Sequence, residues 1–448
     1  MEKETLLKRL ADASRASDGK QIELVYIEDR TALSRFAENV IHQNIEQADH
    51  RILARVSLGD RVGLAVGNAV EPEAITGTVQ KATEIAENQN SDPDFPGFIA
   101  SPVAPPAPSA YSSATAGFSA DQRATAIKTA VEACSKAGLM ASGLFKIETK
   151  TVAVVNSPGT AQYFAETAAE FSLTASDDTA AAAGWATGYQ RDVDKLNATQ
   201  VIDTAVQKAV ASRNPRPYPP GEYTVILEPA AVGQLLLFLG FLGFGGGSFA
   251  SGRSFMARQM GQLITGENIT IIEDPFAPEM AGMPFDYEGV PKKRVVLIEN
   301  GIAKGVVFDR LNAKKAGMES TGHALPPDNS FGPYPRNMAI SAGTIPFKEV
   351  IATTREGVLI THFWYLNYLN PRRVQMTGTT LDGTFLIKDG KIAHPIINMR
   401  ATPALLEMFG RVEAIADERI VYPQFNSVML VPGMKITGFA LGEDTDEG

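Results

Sequence analysis

Histidine and cysteine, the side chains most often used to hold metal or attack a carbonyl, are scarce in this chain of 448 residues: it has five histidines and one cysteine. A lone cysteine, Cys134, cannot close an internal disulfide, which points to a reducing compartment. His42, His50, His323, His362 and His394 are widely spaced, and no two fall within four residues of each other, so no local metal-binding pair exists. Long apolar runs are missing as well. Leu235–Phe244 has ten residues, where a bilayer's hydrocarbon core needs about 20. The amino-terminal MEKETLLKRLADAS is amphipathic and lacks the apolar centre of a signal peptide. Positive charge is also short, with a formal net charge of −10 and a pI near 5.2. The closest thing to a basic cluster, Lys292-Lys293-Arg294, fits a solvated strand edge. Nucleic acid and anionic membrane are therefore not expected partners, and the cytoplasm is the expected location.

What is present is ordinary for a globular protein: 44% apolar and 21% charged residues, in a chain long enough for two to four domains. Leu6, Leu7, Leu10 and Ala13 recur at helical spacing, and Asp18-Gly19 should close that helix. Short β-rich segments follow (IELVYIED, a piece around Ala32–Ile45, RILARVSLGD and RVGLAVGNAV), then a helix after Pro72. Residues 1–89 read as an amino-terminal α+β domain. Residues 90–116, with six prolines among Ser and Ala, read as an extended, weakly packed linker. Ser119 and Gln122 form a capping box that opens a helix carrying Ile127, Ala130, Val131 and Cys134 on one face. Strands at Leu144–Val155, Thr160–Ala175 and Ala180–Tyr189 and a helix over Thr199–Ser212 complete a central α+β domain, residues 117–212. RNPRPYPPG, residues 213–221, is a second boundary. Residues 222–448 are mainly antiparallel β, punctuated by Asn300-Gly301, Asp382-Gly383 and Asp389-Gly390 turns and one helix, Pro403–Phe409. The fold class is thus α+β and multi-domain: two small units with antiparallel sheets, then a β-rich carboxyl-terminal domain.

The stretch EPAAVGQLLLFLGFLGFGGGSFASG, Glu228–Gly252, dominates the last domain. A buried helix stopped by Gly245, Gly246 and Gly247 is its plain reading. No His, Glu, Asp or Cys occurs between Pro229 and Thr265.

The run FDYEGVPKKRVVLIENGIAKGVVFDRLNAKKAGMESTGHA, residues 285–324, resembles the TldD/TldE (PmbA) family of cytoplasmic peptidases, as do GTFLIKDGKIAHPI at 383–396 and ATPALLEMF at 401–409. The resemblance implies a three-part architecture. It also implies a division of labour in which a TldD-type subunit carries zinc and pairs with a TldE-type subunit that does not, the pair degrading unstructured peptides in an enclosed cavity. Metal-bearing members place HExxxH after a strand. Matching ILEPAAVGQLLLFLGFLG to that pattern sets Leu237 and Phe238 where the first His and the Glu would stand, and Leu242 where the second His would stand. Hydrocarbon side chains can neither ligate zinc nor take a proton from metal-bound water. The family's further ligand, a cysteine, should fall near Arg419–Ser427, and RIVYPQFNS has none.

No catalytic, cofactor or metal residue is therefore expected in this chain, and zinc is expected in a TldD-like partner. Gly245, Gly246, Gly247 and His323 are candidates for the wall of a peptide cavity. The glycines lack the G-K-[ST] ending of a phosphate loop, so a flexible turn is the stronger reading, and a loop histidine is usually just exposed. Cys134 reads as a packed thiol. The aromatic cluster Phe363, Trp364, Tyr365 and Tyr368 fits a strand with one exposed face. Three functions follow in order: a TldE-like subunit of a hetero-oligomeric peptidase; a homo-oligomeric peptide-binding or scaffolding protein; and an independent metallopeptidase with relocated ligands, drawing on His323, His362 and a carboxylate such as Asp286 or Glu288.

Overall fold

The computed structural model describes residues 2–15, 19–105 and 110–443. Asp18 of the expected helix stop, and Pro106 and Pro108 of the expected linker, lie outside them. Helix α1 (Lys3–Ser14) leads into two long strands, β1 (Gln21–Ala37) and β2 (Val40–Leu58), followed by β3 (Arg61–Gly67) and helix α2 (Pro72–Glu87). The piece around Ala32–Ile45 is not one strand but the tip of a hairpin. Glu38 and Asn39 both take positive φ, 51° and 68°, the geometry of a two-residue turn with Asn in a tolerated left-handed position.

Helix α3 (Ala120–Lys136) opens with the expected reciprocal capping box between Ser119 and Gln122. Strands β4 (Met140–Asn156), β5 (Ala161–Ser176) and β6 (Ala183–Gln190) follow, then helix α4 (Ala198–Ala211). The six strands form one antiparallel sheet in the order β3-β2-β1-β4-β5-β6. β1 pairs with β4 from Glu23↔Asn156 to Phe36↔Gly143, so the sheet runs unbroken across the 90–116 segment. Strand alternation sorts its residues by face. Leu24, Tyr26 and Ile52 turn toward α1 and α2, and Phe145, Phe171 and Leu173 toward α3 and α4. Val25, Ile27, Leu53, Val152 and Val154 turn the other way, onto Met283, Phe285 and Tyr287 of the carboxyl-terminal half.

The Pro-rich segment is extended, but it is not weakly packed. Phe98 and Ala110 are buried, and its backbone is tied to both halves. Asn156 Nδ2 and Thr160 Oγ1 donate to the Ile99 carbonyl, Gln162 Nε2 donates to that of Pro102, and Arg310 Nη2 donates to that of Pro96. These carbonyls sit in extended chain with few neighbouring N–H groups, and polar side chains of both halves have taken them.

Beyond residue 220, eleven strands form a second sheet. Its centre is a closed ring. β7 (Gly221–Leu227) pairs in parallel with β8 (Glu356–Asn370), which pairs with β9 (Gln375–Lys388). β9 then pairs with β10 (Arg400–Ala401), and β10 with β11 (Ser427–Gly442), which returns to β7. Helix α5 (Pro229–Gly243) leaves β7 directly and buries Leu235, Leu236, Leu237 and Leu239 in the largest core cluster. Two short helices interrupt the β-rich half, Arg310–Ala316 and Phe347–Ala352, the second over residues 349–352 where strand was expected. The first starts because Asp309 Oδ1 accepts from the Asn312 N–H, a side-chain N-cap. Asn300-Gly301 and Asp389-Gly390 make the expected turns with positive φ at both residues. Asp382-Gly383 also has positive φ at both residues but makes no turn; it is a bulge inside β9, where the pairing to β8 shifts between Ile360 and His362.

Candidate functional site

A cavity of about 910 Å³ lies between the helix-free face of the six-stranded sheet and the carboxyl-terminal half. One wall carries Ile27, Lys146, Glu166 and Arg191 from the sheet; the other carries Tyr287, Lys292, Tyr334 and Arg336. α5 touches it through Phe241. The Phe241 ring stacks on Tyr334 with centroids 4.9 Å apart and meets Phe331 edge-on at 5.6 Å. One turn earlier Phe238 meets Tyr368 edge-on at 5.3 Å. The Tyr334 hydroxyl donates to the Leu237 carbonyl at 3.4 Å, and burial pushes its pKa upward.

The three positions matched to the metal motif thus differ in setting. Leu237 is fully buried, while Phe238 and Leu242 are partly buried against the core. Their hydrocarbon side chains offer no donor to a metal, so the residues of α5 do not fit a zinc site. Among the described residues no group of three His, Cys, Asp or Glu is arranged to hold a metal ion.

Gly245, Gly246 and Gly247 do not line the cavity. Gly245 pairs in parallel with Val307, and Gly246 opens the short helix α6 (Gly246–Ala250). They form a close-packed joint in place of the flexible turn read from the sequence. A Cβ on Gly246 would come within 2.3 Å of Phe308 Cδ1 and 2.7 Å of the Val307 carbonyl oxygen, which only glycine avoids.

His323 is buried and not exposed as a loop histidine would be. Its Nδ1 shares a 2.9 Å hydrogen bond with Thr321 Oγ1. Its Nε2 lies 3.4 Å from Glu273 Oε1, and neither atom has a hydrogen bond among the described residues. Burial holds its pKa below the usual histidine value. It does not line the cavity. His362 is elsewhere, bonded to Asp382 Oδ2 at 2.9 Å through Nε2 and stacked on Trp185 at 4.5 Å. The bulge in β9 aims Asp382 at it. Cys134 is buried, and burial pushes its thiol up to about 11, so it packs and does not react.

The carboxylates of FDYEGVP organise a loop. Asp286 Oδ1 accepts from the N–H groups of Glu288 and Val290, and Oδ2 from that of Ala324. Glu288 Oε2 accepts from the Arg310 N–H. Burial and the neighbouring Asp286 charge push the Glu288 carboxyl up to about 8. The three N–H bonds favour the ionised form of Asp286, so Glu288 is the partner that keeps its proton.

The cluster Lys292-Lys293-Arg294, expected on a solvated strand edge, is not solvated throughout: Lys292 is buried. Lys293 and Arg294 are indeed exposed, paired to Glu319 and Asp274. Lys292 is 8% exposed and reaches the cavity wall. Its one signal was its place directly after Pro291, where the segment has just been pinned by Asp286.

Comparison with known proteins came to the same fold. Residues 220–443 match the family described as PmbA/TldA metallopeptidase C-terminal domain. The chain is 25% identical over 440 residues to the metalloprotease PmbA of Escherichia coli O157:H7, covering 95% of this chain and 94% of that one. A metalloprotease of Methanothermobacter thermautotrophicus is 27% identical over 225 residues, 47% of this chain and 46% of its own length. The match thus spans about half the length of that relative. Among solved structures, TldE from Thermococcus kodakarensis superposes with a TM-score of 0.87 at 22% identity, covering 94% of this chain and 96% of that one. A putative modulator of DNA gyrase from Thermotoga maritima does so at 0.86 and 18%, covering 98% and 100%. At those identities the likeness is one of fold. No helix of the described residues is long and apolar enough to cross a membrane.

Proposed function

Because the chain belongs to the PmbA/TldA metallopeptidase family, we propose that it is a TldE-like, non-catalytic subunit that joins a zinc-bearing TldD-like partner in the cytoplasm and forms part of the chamber in which unstructured peptides are degraded. The observation that carries this reading is α5. The helix matched to the family's metal helix borders the cavity with Phe241 and carries Leu237, Phe238 and Leu242, none of which can ligate or accept a proton. Hydrolytic chemistry would have to come from the partner. This chain would supply the cavity wall, aromatic surface from Phe241, Phe331 and Tyr334, and shielding from folded proteins.

Trp364, Tyr365 and Leu369 on β8 and Phe425 at the β11 hairpin are more than half exposed, which favours association with another chain. That observation also suits the second reading, a homo-oligomeric peptide-binding protein. Co-expression with a TldD-like protein, followed by light scattering and a peptidase assay, separates them. A hetero-complex with proteolysis above that of the partner alone is expected. No complex, or undiminished cleavage by the partner alone, overturns the proposal.

A further inference from the structure

The charges on the cavity wall are not evenly matched. Arg30, Arg51, Lys146, Lys150 and Arg191 each have an ion pair, with Glu28, Asp328, Glu170, Asp29 and Glu166 respectively. Lys292 and Arg336 have none among the described residues. Arg336 spends Nε on the Asn426 carbonyl and Nη1 on the Tyr287 hydroxyl. The Lys292 ammonium has no hydrogen bond there at all, although the side chain is buried. The Glu273 charge offsets part of this but is divided. Its Oε2 accepts from the Asn337 N–H at 2.8 Å, and its Oε1 faces His323. Burial lowers the Lys292 pKa, and the Arg336 charge lowers it further.

Two cations on the wall of one cavity, neither with a carboxylate of its own among the described residues, are an unfinished ion-pair arrangement. A buried charge is costly unless paired, and a guanidinium and an ammonium lining one cavity are both suited to hold a carboxylate. We propose that Lys292 and Arg336 form a carboxylate-binding subsite of the cavity, which anchors one end of a bound peptide through its terminal or side-chain carboxylate. Tyr287, whose hydroxyl accepts from Arg336, keeps the guanidinium turned along the wall. The inference rests on the peptide-chamber reading above and goes beyond it by naming the group on the peptide that is held.

The test uses the full chain, alone and with a TldD-like partner, and fluorescence anisotropy of three labelled hexapeptides of otherwise neutral sequence: one with a free carboxyl terminus, one amidated, and one amidated with an internal Asp. Preference for the free acid over the amide by roughly tenfold or more is expected, from the worth of a charge-assisted hydrogen bond, and it assigns the terminal carboxylate. Equal recovery by the Asp peptide assigns the side chain. In either case Lys292→Met should erase the preference. Equal affinity of all three peptides overturns the subsite while leaving the chamber intact. No binding of any peptide to either assembly overturns both. Because the comparison of free acid with amide is made on the unaltered protein, the result does not depend on the variant folding.

Discussion

Gln234 and Phe363 hold each other by two hydrogen bonds. The Gln234 amide donates from Nε2 to the Phe363 carbonyl at 2.9 Å and accepts on Oε1 from the Phe363 N–H at 2.8 Å. This ties the second turn of α5 to β8 just beyond Ile360, where the pairing with β7 ends and the Phe363 N–H and carbonyl need a partner. Gln234→Leu keeps the volume but orphans both Phe363 groups, at about 1–3 kcal/mol for each group left unpaired. Urea denaturation should show that loss; a change below about 1 kcal/mol would mean the pair is replaceable.

Leu237 and Leu242 are both matched to histidines of the metal motif, yet only Leu237 is fully buried. Leu237→His is expected to cost roughly 2–7 kcal/mol, the penalty for burying an unpaired polar group. Leu242→His should cost clearly less, since its imidazole can turn outward. Equal losses for the two variants in denaturant titrations would contradict the placement of the helix.

The glycine run supplies a paired comparison. Gly246→Ala drives a methyl into Phe308 and the Val307 carbonyl and should destabilise by about 1–3 kcal/mol. Gly247→Ala meets only Asn312 Oδ1 at 3.3 Å. It sits in a helix, where alanine gains up to about 1 kcal/mol over glycine, so it should be neutral or stabilising. Thermal melts of the two variants decide whether the run is a packed joint or a hinge.

Glu288 should make stability depend on pH. Its carboxyl is raised from the ordinary value of 4.5 to about 8 in the folded chain, so the folded state binds more protons than the unfolded one between those values. That contribution is complete below pH 4.5 and is lost as pH rises through about 8. The melting temperature is expected to fall across this window, and Glu288→Gln, which cannot ionise, should flatten the fall. An unchanged slope in the variant would assign the effect to other groups.

Much of the architecture could be read from the residues because local signals agreed with the tertiary outcome. The Ser119 capping box, the strands of residues 140–190 and the burial of α5 all follow from periodicity and end signals. Where reading failed, contacts distant in sequence decided the matter. Glu38-Asn39 carries no glycine, yet Asn39 Oδ1 accepts from the Ala141 N–H and fixes the turn. Asp382-Gly383 looks like Asp389-Gly390, but only pairing with β8 tells a bulge from a turn. The candidate site was harder still. His323 and the glycines stood out by type and lie behind the wall, whereas Lys292 and Arg336 belong to common types and gain their character from burial and from the partners they lack.

The β1–β4 ladder bears on how this protein can be handled. A protease cut in the Pro-rich segment would not release two bodies, since the strands on either side of it hydrogen-bond along nearly their whole length. A fragment ending near residue 105 would instead present the bare flank of β1, a long template for aggregation with its own copies. Expression boundaries and fusion points for the amino-terminal half therefore belong after residue 212.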